Sequence, residues 1–285
     1  MRYQIFDPTD CHFPKPRVPI LPALSGQSLG RRSSNLYCQL GQGDNSQSYA
    51  RGRYALKAAY QLAGVGQSGA ILVPSYHCRT MLDPAIRLGA DILLYPLQAD
   101  LSPDLPALAA LVTDSEKPIA ALLLTHYFGF CQDLGHIADF CEQNNIALIE
   151  DCSHALFNAV PANGKRTSLS MGKTGRFGVA SPYKFFPVED GGLLWANEPH
   201  YLPKDTRPSR KRRQEVKGTL HLVRRALNSP QPPDLSLIDE EICALSGKTF
   251  SKGSDALVDD AQISGYYDSA DEDQGSLASS RWVMR

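Results

Sequence analysis

Among the residues that could do chemistry, Lys184 stands out because aromatic residues flank it. It stands in the stretch "SPYKFFPVEDGG" (residues 181–192), between Tyr183 and Phe185. A lysine usually keeps its ammonium group in water, so aromatic neighbours need an explanation. One explanation is a lysine that extends from a loop into solvent. The other is an amine that partial removal from water makes nucleophilic.

An aspartate, Asp151, ends an apolar stretch thirty-three residues before Lys184. Both residues follow predicted buried strands, which would bring a carboxylate and an amine to neighbouring strand ends. Pyridoxal 5'-phosphate requires this pair: a lysine that forms a Schiff base with it, and a carboxylate that keeps the pyridine nitrogen protonated. The cofactor also needs backbone amides at a helix N-terminus for its phosphate. The pair therefore indicates a pyridoxal-phosphate site.

The elements that would position this pair alternate between apolar strands and amphipathic helices. Strands are predicted at residues 70–74, 91–97, 118–126, 146–152, 176–181 and 191–196, and helices at 53–65, 81–90, 104–112 and 133–145, the last with Asp133 as its N-cap. This order predicts an α/β fold, with a mostly parallel sheet covered by helices on both faces. Ligands of such sheets bind beyond the carboxyl ends of the strands, where "HYFG" and "DCSHA" lie.

A glycine-rich stretch, "GVGQSG" (residues 64–69), matches the G-x-G-x-x-G pattern of dinucleotide-binding proteins. That pattern must follow a strand and open a helix. Here a predicted helix precedes it and a predicted strand follows it. We interpret the stretch as a helix-to-strand turn.

Composition divides the chain into three parts. Residues 1–49 are predicted to be an N-terminal arm, 50–200 a large domain, and 201–285 an irregular extension with the start of an incomplete C-terminal domain. Within the last part, residues 204–225 carry nine basic against two acidic side chains, and residues 234–273 carry eleven acidic against two basic ones. We interpret both blocks as solvated segments.

Overall charge and cysteine usage exclude several classes of protein. The formal net charge of −1 gives no reason to expect nucleic-acid binding. The seven cysteines are an odd number without a C-x-x-C pair, so neither a disulfide framework nor a metal site is predicted. The sequence shows neither a signal peptide nor a membrane span. A location in the cytoplasm is therefore expected.

The chain resembles the DegT/DnrJ/EryC1/StrS aminotransferases over about residues 52–196. The resemblance is carried by "HYFG", "IADFCEQNNIALIEDCSHAL" and "GVASPYKFFPVEDGG", and by the spacing between "EDCSHA" and S-x-x-K. It implies the large domain of a fold-type I transferase, with pyridoxal 5'-phosphate as cofactor. It also implies transfer of an amino group, from glutamate, to a keto group of a nucleotide-linked sugar. Members of the family are homodimers with sites across the interface, so a homodimer is expected.

The resemblance also assigns roles to individual residues. Lys184 corresponds to the Schiff-base lysine, and Asp151 corresponds to the aspartate on the pyridine nitrogen. His154 lies where the family has glutamine or histidine near the 3-hydroxyl of the ring. Ser181 corresponds to a phosphate-binding serine. Lys184, Asp151 and His154 are the expected catalytic residues.

The remaining expected contacts come from two further segments. The family's phosphate-binding turn corresponds to Gly52, Arg53 and Tyr54, with Arg53 in place of the usual threonine. The aromatic residue that stacks on the ring corresponds to Cys78, so Tyr76 or His77 is expected to stack instead. His126 is either a substrate contact or a packed histidine at a strand end.

Two departures from the family leave other functions open. Members have a complete small C-terminal domain and a Gly-x-Asn-x-Arg loop that reaches the neighbouring subunit's site, and neither is recognisable here. The chain could therefore be a truncated protein or a catalytically inactive partner with the same fold. The family's sugar dehydratases are a third alternative. They have histidine at the position of the lysine, and Lys184 argues against this alternative.

Overall fold

In the computed structural model of the protein, the described residues are 2–5, 22–24, 45–155, 171–197, 199–207, 210–227, 256–259, 263 and 267–283. Most of the predicted N-terminal arm lies outside them. Within the described residues, the regular elements are β1 (Arg2–Ile5), β2 (Ser46–Tyr49), α1 (Gly52–Leu62), β3 (Ala70–Pro74), α2 (Arg79–Arg87), β4 (Ile92–Tyr95), α3 (Leu105–Asp114), β5 (Ile119–Thr125), α4 (Gly135–Gln143), β6 (Ala147–Asp151), β7 (Phe177–Ala180), β8 (Gly192–Ala196), α5 (Arg212–Leu227), β9 (Ala256–Asp259) and α6 (Ala278–Val283).

Seven strands form one mixed sheet in the order β2-β8-β7-β6-β5-β3-β4. Strands β4, β3, β5, β6 and β7 are parallel to their neighbours, and β8 runs antiparallel between β7 and β2. The sequence prediction of an α/β fold with a mostly parallel sheet is confirmed. Outside this sheet, β1 pairs antiparallel with β9.

Alternate residues of the central strands enter different hydrophobic clusters on the two faces of the sheet. On β3, Ile71 belongs to the cluster that includes α1 and α2, whereas Leu72 belongs to the cluster that includes α3 and α4. Leu123 and Leu122 divide in the same way on β5. Burial of one such side chain contributes about 1.5–3 kcal/mol to the stability of the fold. Because alternate residues of one strand face opposite sides, the same central strands hold both layers of helices. Helices on both faces were predicted, and this is confirmed.

The sequence pattern differs from the structure at three elements. Residues 46–49 form β2, although nothing in the N-terminal composition indicates a strand. Residues 212–227 form α5 within the segment expected to be irregular. The N-cap of α4 is Leu134 and not Asp133, whose carboxylate nevertheless accepts a hydrogen bond from the Gly135 amide at 3.1 Å. The predicted turn at residues 64–69 does connect α1 to β3, and Gly66 and Gly69 exchange backbone hydrogen bonds there.

The C-terminal segment, residues 267–283, packs against α1 and α5. The Tyr267 ring lies edge-on to Tyr54 at a centroid distance of 5.4 Å. Glu272 forms ion pairs with Lys57 on α1 and Arg87 on α2. These contacts hold the C-terminal segment against α1 and α2. None of the helices in the described residues is both long enough and apolar enough to cross a membrane.

Candidate active site

The carboxyl ends of four parallel strands, β3, β5, β6 and β7, meet at one edge of the sheet. Asp151 ends β6, opposite Thr125 on β5 and Val179 on β7. A cavity of about 220 Å³ opens at this edge. Seven of the eight site residues expected from the sequence line it: Gly52, Arg53, His77, Asp151, His154, Ser181 and Lys184. The fold thus gathers residues that are up to 132 positions apart in the chain.

The eighth residue, Tyr54, lies elsewhere. Its side chain is buried, and its hydroxyl donates a hydrogen bond to the Asp268 carbonyl oxygen at 3.0 Å. Its backbone N–H donates to the carbonyl oxygen of Arg51 at 3.1 Å. Neither its phenol nor its amide is therefore directed to a ligand, and Tyr54 holds the C-terminal segment instead. A side chain two positions after Gly52 lies on a different side of α1, since successive residues turn by about 100°.

The first turn of α1 forms one end of the cavity, together with two serine hydroxyls. Gly52 packs so closely against Ser181 that a Cβ at position 52 would overlap with Ser181 Oγ. The Ser181 hydroxyl lies 3.0 Å from Ser153 Oγ, and both serines are buried. No acidic residue occupies the first turn of α1, so no carboxylate on that turn offsets the positive end of the helix dipole, which lies at the cavity. This end is suited to a phosphate group.

The two consecutive glycines of the "EDGG" stretch bring β8 against the N-terminus of α1. The Gly191 amide donates to the Ala50 carbonyl oxygen at 2.9 Å, and Gly191 has a φ of 145°, which favours glycine. A Cβ on Gly192 would overlap with the Arg51 carbonyl group. The glycines are therefore needed for the close approach of two backbones, which holds the first turn of α1 in place.

Asp151 is held rigidly at the floor of the cavity and is only 4% exposed. Its Oδ1 accepts a hydrogen bond from the Ser153 amide at 2.9 Å. Its own carbonyl oxygen accepts from the His126 amide at 3.1 Å, and the next amide, that of Cys152, donates to Val179 at 2.7 Å. Strands β5 and β7 thus fix the backbone on both sides of this carboxylate.

Lys184 ends a single 3-10 turn, Pro182–Lys184, and its amide donates to the Ser181 carbonyl oxygen at 3.0 Å. Of its aromatic neighbours, Tyr183 lines the cavity, and the Arg51 guanidinium lies 4.9 Å from its ring centroid. Phe185 and Phe186 pack instead against a buried cluster that includes Trp195. The phenylalanines therefore anchor the turn that presents the half-buried amine.

His154 lies beside Lys184, and its ring stacks on Phe128 with an interplanar angle of 16°. Partial burial lowers the pKa of His154, and the positive charge of Lys184 lowers it further, while Asp151 acts in the opposite direction. The neutral imidazole is therefore favoured near pH 7. Phe128 has a left-handed backbone conformation with a φ of 53° and lines the cavity.

A second histidine, His77, lies on the segment that follows β3. Its buried Nδ1 atom has no hydrogen-bond partner among the described residues. Burial lowers the pKa of this imidazole, and an interaction with the Cys78 backbone opposes the effect. Tyr76 is 55% exposed and packs against Tyr127, whose hydroxyl donates to the Tyr76 carbonyl oxygen at 2.6 Å. An unsatisfied buried nitrogen at the cavity wall is a position where a ligand would gain a hydrogen bond.

His126, left open between two roles by the sequence, is wholly buried and does not line the cavity. Its Nδ1 accepts from the Gln132 amide at 3.2 Å, so its Nε2 carries the proton and donates to Glu150 Oε2 at 2.8 Å. The Glu150 carboxylate also accepts from the amides of Gly172 and Gly175. His126 is a packed residue that joins β5 to β6.

The same network includes a buried thiol, because the possible ligand atoms of His126, Glu150 and Cys152 lie within 4.8 Å of one another. A metal ion there would face the N–H groups that already fill the Glu150 carboxylate. We therefore interpret this cluster as structural. It fastens the turn at residues 171–175 to β6, directly beside Asp151.

Among the cavity-lining residues to which sequence reasoning gave no role in the site are Arg51, Ser153, Tyr127 and Phe128. The signal for three of them was present. Ser153 follows Asp151 by two positions, and the aromatic pair follows the end of β5. No local pattern pointed to Arg51. It lines the cavity because it is the N-cap of α1, and the N-terminus of α1 lies at the cavity.

The cavity has the groups that pyridoxal 5'-phosphate requires. The turn of α1 with Ser153 and Ser181 forms a phosphate cradle that a side chain at position 52 would fill. A buried carboxylate, Asp151, lies at the floor, and an amine, Lys184, lies at the wall. The residues present therefore fit this cofactor.

Comparison with known proteins gives the same indication. The model of the DegT/DnrJ/EryC1/StrS aminotransferase family matches residues 39–207. The GDP-perosamine synthase of Vibrio cholerae is 27% identical over 164 residues, which are 54% of this chain and 41% of that protein. The 3-amino-5-hydroxybenzoate synthase of Amycolatopsis mediterranei is 29% identical over 150 residues, or 52% of this chain and 34% of that protein. The matches thus span less than half of each relative.

Among solved structures, an aminotransferase of Streptoalloteichus hindustanus superimposes with a TM-score of 0.52 at 22% identity. The match covers 64% of this chain and 54% of that one. This similarity supports the fold-type I architecture of the large domain.

Proposed function

Since the chain belongs to the DegT/DnrJ/EryC1/StrS aminotransferase family, we propose that it is a pyridoxal 5'-phosphate-dependent aminotransferase. The amino group comes from glutamate and is transferred to a keto group of a nucleotide-linked sugar. The observation that carries this proposal is the meeting of Lys184, Asp151 and the phosphate cradle in one cavity. The nucleotide-linked acceptor is supported by the name of the Vibrio cholerae relative.

Lys184 and Asp151 have complementary roles in this proposal. When bound, the cofactor supplies an electron sink for the bond changes at the amino acid's α-carbon. Asp151 would stabilise the protonated pyridine nitrogen, because a buried carboxylate favours a nearby positive charge. The Lys184 Nζ atom would hold the cofactor and, as a free amine, would carry the proton removed from the donor's α-carbon.

The phosphate cradle and the two histidines orient the ring between them. The N-terminal end of α1 and the hydroxyls of Ser153 and Ser181 would hold the phosphate. His154 and His77 lie at the cavity wall and, because both are neutral near pH 7, they add no positive charge next to the Lys184 amine. His77 Nδ1 gains the hydrogen bond that it lacks among the described residues.

A different acceptor is suggested by the second relative, whose name indicates an amino-substituted benzoate. A direct comparison tests the acceptor class: the cofactor-loaded protein is supplied with glutamate and with either a keto-sugar nucleotide or a cyclic ketone without a nucleotide. Formation of the amino sugar together with an equal amount of 2-oxoglutarate supports the proposal. A protein that attaches the cofactor but produces no 2-oxoglutarate would be a non-catalytic relative.

We also propose that two copies associate, as the family resemblance implies. Sedimentation velocity of the cofactor-loaded protein tests this directly. A monomer at all concentrations would count against a site completed by a second subunit.

A further inference from the structure

A second cavity, of about 580 Å³, lies next to the first one. It is enclosed by α5, by residues 189–190 before β8, and by residues 271–277 of the C-terminal segment. Arg51 lines both cavities, so they adjoin at the N-terminus of α1. The proposed chemistry at Lys184 does not use this space.

The acidic residues that line the second cavity all have cationic partners. Glu189 pairs with His221 at 2.6 Å and with Arg225 at 2.8 Å. Arg210 lies 3.6 Å from Asp190 and 3.0 Å from Asp271. The Asp190 carboxylate additionally accepts from the Leu277 amide at 3.1 Å. Arg210 and Arg225 therefore offset two of the three carboxylate charges.

The basic residues are in excess. Lys217 and Arg224 line the cavity from α5, and neither forms an ion pair with any residue that the structure describes. They are seven positions apart, about 10 Å along the helix, and face the same side because seven residues make nearly two turns. Together with Arg51, they place three cations around a concave space. Since Lys217 and Arg224 have no acidic partner among the described residues, the cavity favours a ligand with several negative charges.

The wall also offers apolar surface. Leu220 is 64% exposed and lies one turn from Lys217 and from Arg224 on α5. Leu277 lies across the cavity, against Gly218. A cavity that combines cations with apolar side chains suits a molecule that carries phosphates and a planar or apolar group.

We propose that the second cavity binds the diphosphate of a nucleotide-linked acceptor, with Lys217 and Arg224 contacting the phosphates and Leu220 contacting the nucleoside. The inference rests on the proposed function, because it takes the acceptor to be a nucleotide-linked sugar. Arg51, at the boundary of the two cavities, directs the sugar from the diphosphate towards Lys184. Lys217 and Arg224 are then residues that select phosphate-bearing acceptors.

The test measures binding of GDP, UDP and dTDP to the cofactor-loaded protein by isothermal titration calorimetry. Inorganic pyrophosphate and guanosine are used as separate probes. At least one of the three nucleotides should bind, pyrophosphate should compete with it, and guanosine alone should bind more weakly. The Lys217→Ala/Arg224→Ala protein should bind the nucleotide at least about ten-fold more weakly, because two charge-assisted contacts are lost.

The matched control is Arg212→Ala/Arg213→Ala, which removes two positive charges from the same helix at positions that do not line the cavity. It should change the dissociation constant by less than about three-fold, since exposed charges that do not contact the ligand contribute only a weak, salt-screened attraction. Thermal unfolding of each variant verifies that it is folded. Equal weakening by the two pairs would reveal only a general charge effect and would overturn the proposal.

Failure of this inference is distinguishable from failure of the proposed function. Attachment of the cofactor to Lys184 is read by colour and does not involve α5. A yellow protein that produces 2-oxoglutarate from glutamate but binds none of the three nucleotides would overturn the cavity assignment alone. A colourless protein whose nucleotide binding is lost in the Lys217→Ala/Arg224→Ala variant would uphold the cavity assignment and contradict the aminotransferase proposal.

Discussion

Gly52 and Ser181, which are 129 positions apart in the chain, lie so close that a side chain on Gly52 would overlap with the Ser181 hydroxyl oxygen. The first turn of α1 and the residue after β7 thereby form one surface. The phosphate end of the proposed site depends on this contact.

Gly52→Ala is expected to weaken binding of pyridoxal 5'-phosphate by about ten-fold or more, because the added methyl group turns the Ser181 hydroxyl away from the phosphate. Stability should change by less than about 1 kcal/mol, since a serine hydroxyl can rotate. A double-mutant cycle with Ser181→Ala isolates this effect. In the Ser181→Ala background, Gly52→Ala should add little. Full additivity of the two changes would show that Gly52 acts by another route.

Lys184→Ala is expected to abolish the yellow colour and the covalent adduct that borohydride fixes in the parent protein. Amino transfer should fall by at least about 10²–10⁴-fold, the usual contribution of a positioned acid–base group. Absorbance and peptide mapping of the reduced protein measure the two effects. A borohydride-fixed adduct on Lys57 or Lys173 would contradict the assignment of Lys184. Lys173→Ala is the matched control, because Lys173 is exposed, lies eleven positions before Lys184 and does not line the cavity.

Asp151→Asn is expected to keep the covalent attachment but to slow amino transfer by about 10²–10³-fold, the usual cost of removing one group that stabilises a developing charge. A neutral amide cannot hold the proton of the pyridine nitrogen. Single-turnover reaction with glutamate, followed by absorbance, measures the rate. An unchanged rate would exclude contact between Asp151 and the ring nitrogen.

The pKa of His154 should respond in opposite directions to its two charged neighbours. Its pKa is lowered from the ordinary value of 6.5 by partial burial and by the positive charge of Lys184, and Asp151 opposes this effect. In the cofactor-free protein, Lys184→Ala should therefore raise the His154 pKa, and Asp151→Asn should lower it further. NMR of the histidine ring signals between about pH 4 and 8 measures the His154 pKa in each variant. This range covers about two pH units around the ordinary histidine pKa.

Lys117→Ala is the control for this titration, because Lys117 pairs with Asp91 and precedes β5 at the opposite edge of the sheet. It should leave the His154 signal unchanged. If Lys184→Ala and Asp151→Asn moved the His154 pKa in the same direction, the electrostatic arrangement of the cavity would be wrong.

Glu150→Gln is expected to destabilise the protein by about 1–3 kcal/mol. The glutamine amide group would place its own N–H donors against N–H groups that now donate to the carboxylate. Glu150 is wholly buried and accepts from three backbone amides and from His126. Urea unfolding at constant m-value measures the change. Glu142→Gln, an exposed position on α4, should change stability by less than about 0.5 kcal/mol. Equal midpoints for the two variants would contradict the structural role of the network.

Local sequence patterns were enough to predict the α/β fold class, the order of the central elements, and a site that contains Asp151 and Lys184. These features depend on local patterns: alternation of apolar strands with amphipathic helices, and polar residues directly after strands. Such patterns are written in contiguous stretches of chain, and a parallel sheet then brings its strand ends together.

The directions of the other side chains could not be predicted, because packing between distant elements sets them. Tyr54 turns to the C-terminal segment, and Phe185 with Phe186 anchors the lysine turn against a buried cluster instead of enclosing the amine. The second cavity depends on α5 and on a segment more than forty residues further along the chain. Contacts at such separations are set by packing between elements, which no local pattern encodes, and that is why the sequence indicated the chemistry but not the surface around it.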